Sequence, residues 1–351
     1  MTFFRQSRTR ALLLVAAAVV AAGAGARLAF ARDTTAPIGT GIVVIDTNLA
    51  YQDGAAAGTG MVLTSSGEIL TNNHVIAGAT TIRVVVPDTG RSYSAQVVGY
   101  DRAHDVAVLE LQHASNLKTV STAASSKLTT GSRVTAVGNA GGSGSLTSAS
   151  GTITGLGKRI TASDDLGSSE TLTGLIETNA GVQPGDSGGP LLDESGHVIG
   201  MDTAASTSSG FQVVNASDAY AIPIGAALAI AQQIESGKAT ATVHIGATAF
   251  LGVEVESVDA ARYGSRYGGF GSGTNSGALI AGVVSGGPAD SAGLTAGDVI
   301  TAVGGRTIST PVVVTKVIMA KKPGQKVSVK YVDQDGVTHT TTVKLGSGPA
   351  Q

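Results

Sequence analysis

The chain has 351 residues, of which 42% are hydrophobic and 14% charged, so it can bury a core and is not intrinsically disordered by default. It contains no cysteine, which excludes disulfides, thiolate metal sites and a thiol nucleophile. Its formal net charge of −2 excludes the basic surface that nucleic-acid binding requires.

The first 31 residues have the pattern of an export signal. Three arginines precede the apolar run 11–26, and AFA at 29–31 offers a small-x-small cleavage site. Cleavage there removes four arginines and no acid, which leaves a mature net charge of about −6. The alternative is an uncleaved membrane anchor, but the apolar run is shorter than the roughly 20 residues of a bilayer span. We therefore expect a secreted or cell-envelope protein with no stable membrane span after signal cleavage.

Short β-rich runs separated by Gly, Asn and Asp dominate the chain after residue 40. The ten runs that precede the first predicted helix are 41–46, 58–64, 68–75, 81–87, 94–101, 105–111, 132–139, 150–156, 174–179 and 197–204. Many short strands at this spacing predict an all-β sandwich or barrel. Apolar residues at helical spacing over 223–237 then predict one helix, which is typical of a domain end.

The segment GVQPGDSGGPLLD, residues 181–193, surrounds Ser187 with glycines and prolines. A serine hydroxyl is a poor nucleophile unless a base lies beside it. The attacked carbonyl gains negative charge, which main-chain N–H groups can hold only where the chain bends sharply, as glycine permits. The sequence therefore predicts an oxyanion hole in Gly185, Asp186 and Ser187, with the amides of Gly185 and Ser187 facing one small space.

A serine nucleophile needs a histidine base and an acid that orients it. His74 follows an apolar strand, and Asp105 begins a strongly apolar strand, so both can lie at the rim of a core. Asp101, in the preceding turn, is the rival acid. Three other histidines are interpreted as surface residues: His104, His113 and His197.

The motifs TNNHV, DVAVLEL and PGDSGGPLL, in this order, resemble the chymotrypsin-like serine proteases. The resemblance is closer to the HtrA/DegP branch, secreted bacterial enzymes with a PDZ domain after the protease. It implies a mainly β fold, with a double β-barrel of two six-stranded halves followed by an α+β PDZ domain. It also implies a catalytic triad of His74, Asp105 and Ser187 in the cleft between the barrels. The chain departs from the family pattern at Asp186, where the family carries Asn, and at Asn179, where it carries Asp.

The resemblance implies a linear domain order. The expected boundaries are a signal peptide at 1–31, the protease domain at 32–240, the PDZ domain at 241–346 with a glycine-rich flexible insertion at 261–277, and a tail at 347–351.

The resemblance further assigns a primary specificity pocket. Gly181 would lie at its base, and its wall would contain Thr203, Ala204, Ala205 and Tyr220. Because Gly181 carries no carboxylate that could attract Lys or Arg, we expect cleavage after small to medium apolar residues.

In the second domain, the segment 249–255 resembles the PDZ loop that captures a terminal carboxylate. Its peptide-binding candidates are Phe250, Leu251, Gly252 and Val253. An ordinary glycine turn is the alternative interpretation of this loop. The segment 278–308 resembles the strand–helix–strand centre of the same domain.

These observations favour an exported serine endopeptidase that acts on unfolded or misfolded proteins. The main alternative is a peptide-binding or chaperone module with a latent protease site. A serine esterase is weaker, because the candidate residues follow the order His, Asp, Ser and not the Ser, Asp, His order of that fold. The expected partners are polypeptide substrates and C-terminal peptides at the PDZ domain, with no nucleic acid. The sequence implies no metal or organic cofactor. The family resemblance also raises a homotrimer as one assembly to consider.

Overall fold

The computed structural model describes residues 39–52, 54–123, 128–163, 169–203, 219–258 and 276–350, all within the unit Thr35–Gln351. Several predicted features lie outside the described residues: the signal at 1–31, the pocket residues Ala204 and Ala205, and all but the last two residues of the insertion at 261–277.

Six antiparallel strands form the first barrel: β1 Ile42–Leu49, β2 Gly54–Val62, β3 Glu68–Thr71, β4 Thr81–Val86, β5 Arg91–Asp101 and β6 Val106–Leu111. Their order is β5-β4-β1-β2-β3-β6, and β6 pairs back with β5 to close the ring. In β4 the buried Ile82 and Val84 alternate with the exposed Thr81 and Arg83, so that one face of the strand lines the core. A one-turn helix, α1 Asn73–Ile76, follows β3.

The second barrel also has six strands: β7 Arg133–Gly138, β8 Thr147–Ser163, β9 Ser169–Thr178, β10 Pro190–Leu192, β11 Val198–Thr203 and β12 Ala219–Pro223. It closes in the order β10-β11-β12-β9-β8-β7, with β7 antiparallel to β10. Every residue of β11 is buried, although the strand includes Asp202. The expected double six-stranded barrel is confirmed.

Helix α2, Ile224–Glu235, confirms the helical periodicity predicted for 223–237. Its buried side chains recur on one face and belong to a core cluster shared with strands of both barrels: Ile224, Ala227, Ala231 and Ile234. This amphipathic face is the reason that the segment forms a helix against the barrels, because burial of an apolar stripe stabilises a helix of this length.

The C-terminal domain has its own hydrophobic core. Its strands are β14 Thr248–Phe250, β15 Val253–Ser257, β16 Ala278–Val283, β17 Val299–Val303, β18 Arg306–Thr307, β19 Lys326–Val332, β20 Thr338–Lys344 and β21 Gly346–Gly348. Two helices, α3 Pro288–Ser291 and α4 Pro311–Met319, complete it. The main sheet has the order β15-β16-β17-β19-β20, so β15 is an edge strand among the described residues.

The chain between the two domains contributes to the first barrel. Strand β13, Val243–Ile245, pairs antiparallel with β5. The sequence-based boundary at 240/241 assigned these residues to the PDZ domain, whereas their backbone hydrogen bonds extend the barrel sheet. The Tyr100 hydroxyl and Thr248 Oγ1 lie 3.2 Å apart, so the contact continues into β14.

The segment predicted as a tail, 347–351, also has ordered contacts. Its first two residues belong to β21, which pairs with β14. Ala350 is 4% exposed and belongs to the core cluster of the first barrel, and its carbonyl accepts from the Gly78 N–H at 2.8 Å. A glycine-rich sequence gives no alternation, so the strand partner, and not the local pattern, determines this structure.

Candidate active site

His74 and Asp105 form a hydrogen-bonded pair. Helix α1 places His74 beside the turn that precedes β6, where Asp105 is 3% exposed. His74 Nδ1 lies 2.8 Å from Asp105 Oδ2, and the His74 main-chain N–H donates to Asp105 Oδ1 at 3.0 Å. An ionised carboxylate only accepts hydrogen bonds, so Nδ1 carries the proton and Nε2 is left as the basic nitrogen.

Asp105 is held in an unusual backbone conformation. Its φ of 55° lies in the left-handed region, which costs a non-glycine residue of order 1 kcal/mol or more. The buried Asn72 compensates by donating from Nδ2 to the Asp105 carbonyl at 2.9 Å. Thr203, at the end of β11, donates its hydroxyl to Asp105 Oδ2 at 3.1 Å. The second barrel therefore contributes to the orientation of an acid in the first.

Ser187 lies on the loop between β9 and β10, and Thr59 of β2 connects this loop to the first barrel. The Thr59 N–H donates to the Ser187 carbonyl at 2.9 Å, and its hydroxyl donates to the Gly185 carbonyl at 2.7 Å. The Thr59 carbonyl accepts from the Thr71 hydroxyl at 2.7 Å, and Thr71 is three residues before His74. The predicted nucleophile and the predicted base are thus attached to the same short stretch of β2.

Two glycines permit this close approach. Gly188 has φ of 84°, and a Cβ there would overlap the Thr59 carbonyl oxygen and the Thr71 hydroxyl. Gly185 has φ of 99°, and a Cβ there would overlap the Asn139 carbonyl oxygen. The crowding of glycine around Ser187 therefore reflects main-chain packing between the barrels as well as turn geometry.

The three predicted oxyanion-hole residues do not have equivalent amides. The Asp186 N–H donates to the Gln183 carbonyl at 3.0 Å, so it is already used within the loop. Gly185 and Ser187 stay the predicted donors of the oxyanion hole.

Two acidic side chains are buried behind the Ser187 loop. Asp186 is 4% exposed and Asp202 is fully buried. Burial raises the pKa of Asp186 above its ordinary value. The hydrogen bond from the Gln183 N–H has the opposite, smaller effect on this pKa. Burial also raises the pKa of Asp202 well above its ordinary value, and the negative charge of Asp186 raises it further. Among the described residues, no cation forms an ion pair with Asp186.

The predicted specificity pocket is described in part. Gly181 is exposed, and a Cβ there would meet only the Ala149 Cβ, at 3.9 Å. Tyr220 is buried and donates its hydroxyl to Glu177 Oε1 at 3.3 Å. Thr203, expected in the pocket wall, directs its hydroxyl to Asp105 instead.

Asp101, the alternative candidate for the catalytic acid, pairs with His104 and not with His74. Asp101 Oδ2 lies 2.8 Å from His104 Nδ1, and the His104 side chain is 58% exposed. The Thr242 hydroxyl donates to the same Asp101 oxygen at 3.1 Å. The interpretation of His104 as a surface residue is therefore confirmed, and Asp101 serves the contact with the interdomain segment.

The predicted PDZ loop lies between β14 and β15. The Leu251 carbonyl accepts from the Ala289 N–H at 2.9 Å, and the Gly252 carbonyl accepts from the Val284 N–H at 3.0 Å. Phe250 stacks on Tyr51 of the first barrel, with ring centroids 5.1 Å apart. Val253 begins β15, whose outer edge has no ladder partner in the described part of the chain.

Sequence reasoning missed three residues of the site: Thr59, Asn72 and Asp202. Threonine and asparagine are common in strands and caps, so nothing distinguishes the first two. Asp202 did leave a signal, because it is an acid inside the apolar run HVIGMDTA. Across the residues that the structure covers, no group of three or more His, Cys, Asp or Glu is arranged to hold a metal. No helix in that same part of the chain is long and apolar enough to cross a membrane.

Comparison with known proteins agrees with this arrangement. Residues 58–201 match the family described as a trypsin-like peptidase domain, and residues 249–345 match the PDZ domain. A probable periplasmic serine protease do/HhoA-like of Haemophilus influenzae is 38% identical over 82% of this chain and 58% of its own length. A probable periplasmic serine endoprotease DegP-like of Hahella chejuensis is 34% identical over 85% of this chain and 59% of its own length.

The chain thus spans somewhat under two thirds of the length of these two relatives. Among solved structures, the HtrA-type protease AlgW with tripeptide is 32% identical over 89% of this chain and 95% of its own, with a TM-score of 0.49. The two family matches follow one another in the order of the two structural domains, and the relatives are named serine proteases or endoproteases. The chain thus carries a match to a trypsin-like peptidase domain followed by a match to a PDZ domain, and it is similar to HtrA/DegP-like serine proteases.

Proposed function

We propose that this protein is an exported serine endopeptidase that hydrolyses peptide bonds in unfolded or misfolded proteins. The observation that carries the proposal is the His74–Asp105 hydrogen bond at 2.8 Å in a barrel whose β2 strand also holds the Ser187 loop. The names of the relatives support the reaction class, and their periplasmic location supports export.

In this proposal Ser187 Oγ attacks the carbonyl carbon of the scissile bond while His74 Nε2 takes the hydroxyl proton. Asp105 accepts from Nδ1–H and stabilises the imidazolium that forms. The Gly185 and Ser187 amides hold the negative charge of the tetrahedral intermediate. His74 then gives the proton to the leaving amine as the peptide bond breaks. In deacylation His74 takes a proton from water, whose oxygen attacks the acyl carbon, and it returns the proton to Ser187 Oγ as the ester bond breaks.

A fluorophosphonate probe tests the chemistry directly. We expect covalent labelling of the full chain at Ser187, located by mass spectrometry, and labelling of His74→Ala slower by roughly 100-fold or more because the general base is lost. His104→Ala is the matched control, since this neighbouring histidine binds Asp101, and it should label at the wild-type rate. Equal labelling of wild type and His74→Ala would contradict the assignment. Absent labelling together with tight binding of C-terminal peptides would favour the latent-protease alternative.

We propose a preference for small to medium apolar residues before the scissile bond, with Gly181, Thr203, Ala204, Ala205 and Tyr220 around the pocket. The open space at Gly181 supports this, because among the described residues only the Ala149 Cβ lies within 4 Å of the position that a Cβ of residue 181 would occupy.

A peptide library should therefore give cleavage after residues such as Val, Ala and Ile. Gly181→Asp should add cleavage after Lys and Arg, while Gly181→Ser, of similar size but neutral, should not. A wild-type profile dominated by Lys or Arg would overturn the preference.

We further propose that C-terminal peptides add a strand to the open edge of β15, with their carboxylate at Phe250, Leu251, Gly252 and Val253. The domain boundaries given above and removal of a signal at 1–31 are parts of the same proposal.

The finer likeness, to the secreted mycobacterial serine protease PepA, rests on the motifs NNHVIAGAT, VVGYDR, QPGDSGGP and TAAS.

A further inference from the structure

Two buried carboxyl groups near the nucleophile, those of Asp186 and Asp202, together have only one hydrogen bond among the described residues. Asp186 Oδ2 accepts from the Gln183 N–H at 2.8 Å. Among the described residues, the other three oxygens, Asp186 Oδ1 and both of Asp202, have no hydrogen-bond partner although all three are buried. No Lys, Arg or His in the described chain forms an ion pair with either acid. Unpaired buried acids of this kind are costly unless they hold a proton.

Both acids are built into the main chain that shapes the site. Asp186 directly precedes Ser187, and its side chain fits against Gly138, where a Cβ would lie 2.6 Å from Asp186 Oδ1. The Asp202 carbonyl accepts from the Gly188 N–H at 2.9 Å, and the Asp202 N–H donates to the Gly189 carbonyl at 2.7 Å. A change at either carboxyl group therefore acts on the residues that flank Ser187.

The charges around Asp202 are few. Its main-chain hydrogen-bond partners, Gly188 and Gly189, and its neighbour on β12, Ala221, carry no ionisable side chain. Asp186 is the one described group whose charge acts on it. The next ionisable pair is reached through Thr203, which donates to Asp105. Two buried like charges without a cation cannot both be ionised at low cost, so one proton stays with the pair.

We propose that Asp186 and Asp202 share one proton and that Asp202, as the neutral acid, is a positioning residue for the Gly185–Ser187 main chain. With Asp202 neutral, the buried site holds a single negative charge, on Asp186. The catalytic consequence rests on the proposed function, whereas the shared proton does not. Asp202 touches neither substrate nor the reacting atoms in this proposal; it acts through its main-chain hydrogen bonds to Gly188 and Gly189, which follow Ser187.

The shared proton should make the free energy of unfolding depend on pH. An acid whose pKa is higher in the folded state than in the unfolded state, near 4, keeps its proton only when folded. Its stabilising contribution is complete below about pH 4 and is lost as the pH rises toward the folded pKa. For one proton, the unfolding equilibrium constant increases about tenfold per pH unit within that window.

The test compares denaturant unfolding of the full chain at pH 5, 6 and 7 in a Ser187→Ala background, where autolysis is absent. Asp202→Asn keeps a donor of similar shape but cannot titrate. The unfolding equilibrium constant of the parent contains an increase of about tenfold per pH unit that comes from this proton, and we expect Asp202→Asn to lack that increase. Asp88→Asn, at an exposed ion pair with Lys118, is the matched control and should keep the parent slope. Equal slopes for Asp202→Asn and its parent would overturn the shared proton, whether or not the enzyme is active.

The positioning role has its own readout. In the chain with Ser187 intact, Asp202→Val removes the donor and leaves Asp186 alone in the buried site. Fluorophosphonate labelling should become at least tenfold slower, and Asp202→Asn should restore most of the rate at pH 7. Labelling of Asp202→Val at the wild-type rate would overturn the role. If Asp202→Val does not fold, the labelling rate of Asp202→Asn across pH decides: a pH profile identical to that of wild type overturns the role.

Discussion

Alanine in place of Ser187 is expected to lower kcat/KM for peptide hydrolysis by roughly 10³-fold or more, because no other group in the proposed mechanism can form the acyl-enzyme. The fold should be nearly unaffected. The loop is held through main-chain atoms of Gly185, Ser187 and Gly188, and these do not depend on the serine hydroxyl. The measurement is a quenched-fluorescent peptide assay together with a thermal unfolding curve.

Ser92→Ala is the matched control, since Ser92 is an exposed serine on β5, and it should retain wild-type kcat/KM. A Ser187→Ala protein that hydrolyses the peptide at the wild-type rate would contradict the proposed nucleophile. A Ser187→Ala protein that unfolds at a much lower temperature would instead show that the hydroxyl has a structural role in the loop.

The second large effect is expected at Gly188. Gly188→Ala should destabilise the protein by about 3 kcal/mol or more and abolish hydrolysis, because its Cβ would overlap the Thr59 carbonyl and the Thr71 hydroxyl. Relief requires the Ser187 loop to move away from β2, which breaks the hydrogen bonds that connect the barrels. Denaturant unfolding and the peptide assay measure the two losses.

Gly90→Ala separates the two causes of that cost. Gly90 has φ of 67°, similar to the 84° of Gly188, but no atom lies within 4 Å of the position that its Cβ would occupy. It should therefore lose only the about 1 kcal/mol of a left-handed alanine. If both variants were destabilised equally, backbone strain alone would account for Gly188, and the contact with β2 would be unimportant.

The strands and the His74–Asp105 pair were within reach of the sequence, because alternation and β-branched residues report burial directly. Interactions between the barrels were not. Thr203 was assigned to a pocket wall from family resemblance, yet its hydroxyl donates to an acid 98 residues earlier in the chain. Pairings across such separations leave no local pattern. The sequence indicates the two buried acids only in part: Asp186 departs from the family pattern, whereas Asp202 is marked only as an acid inside an apolar run.

The boundaries of the domains show the same limit. A helix followed by a glycine predicts a domain end near 240. The strand Val243–Ile245 follows that helix and nevertheless pairs with β5 of the first barrel. Glycine-rich strands such as Gly346–Gly348 carry too little side-chain information to be recognised before their partner is known.

The placement of Ala350 in the first barrel affects how deletion experiments should be interpreted. A protein truncated after residue 240 would lack the edge strand β13. It would also lack the buried Ala350, whose carbonyl accepts from the Gly78 N–H close to the helix that carries His74. Lost turnover in such a fragment would report damage to the catalytic half as readily as release from control by the other half. Point substitutions on the open edge of β15 give a cleaner answer, since they leave both β13 and Ala350 in place.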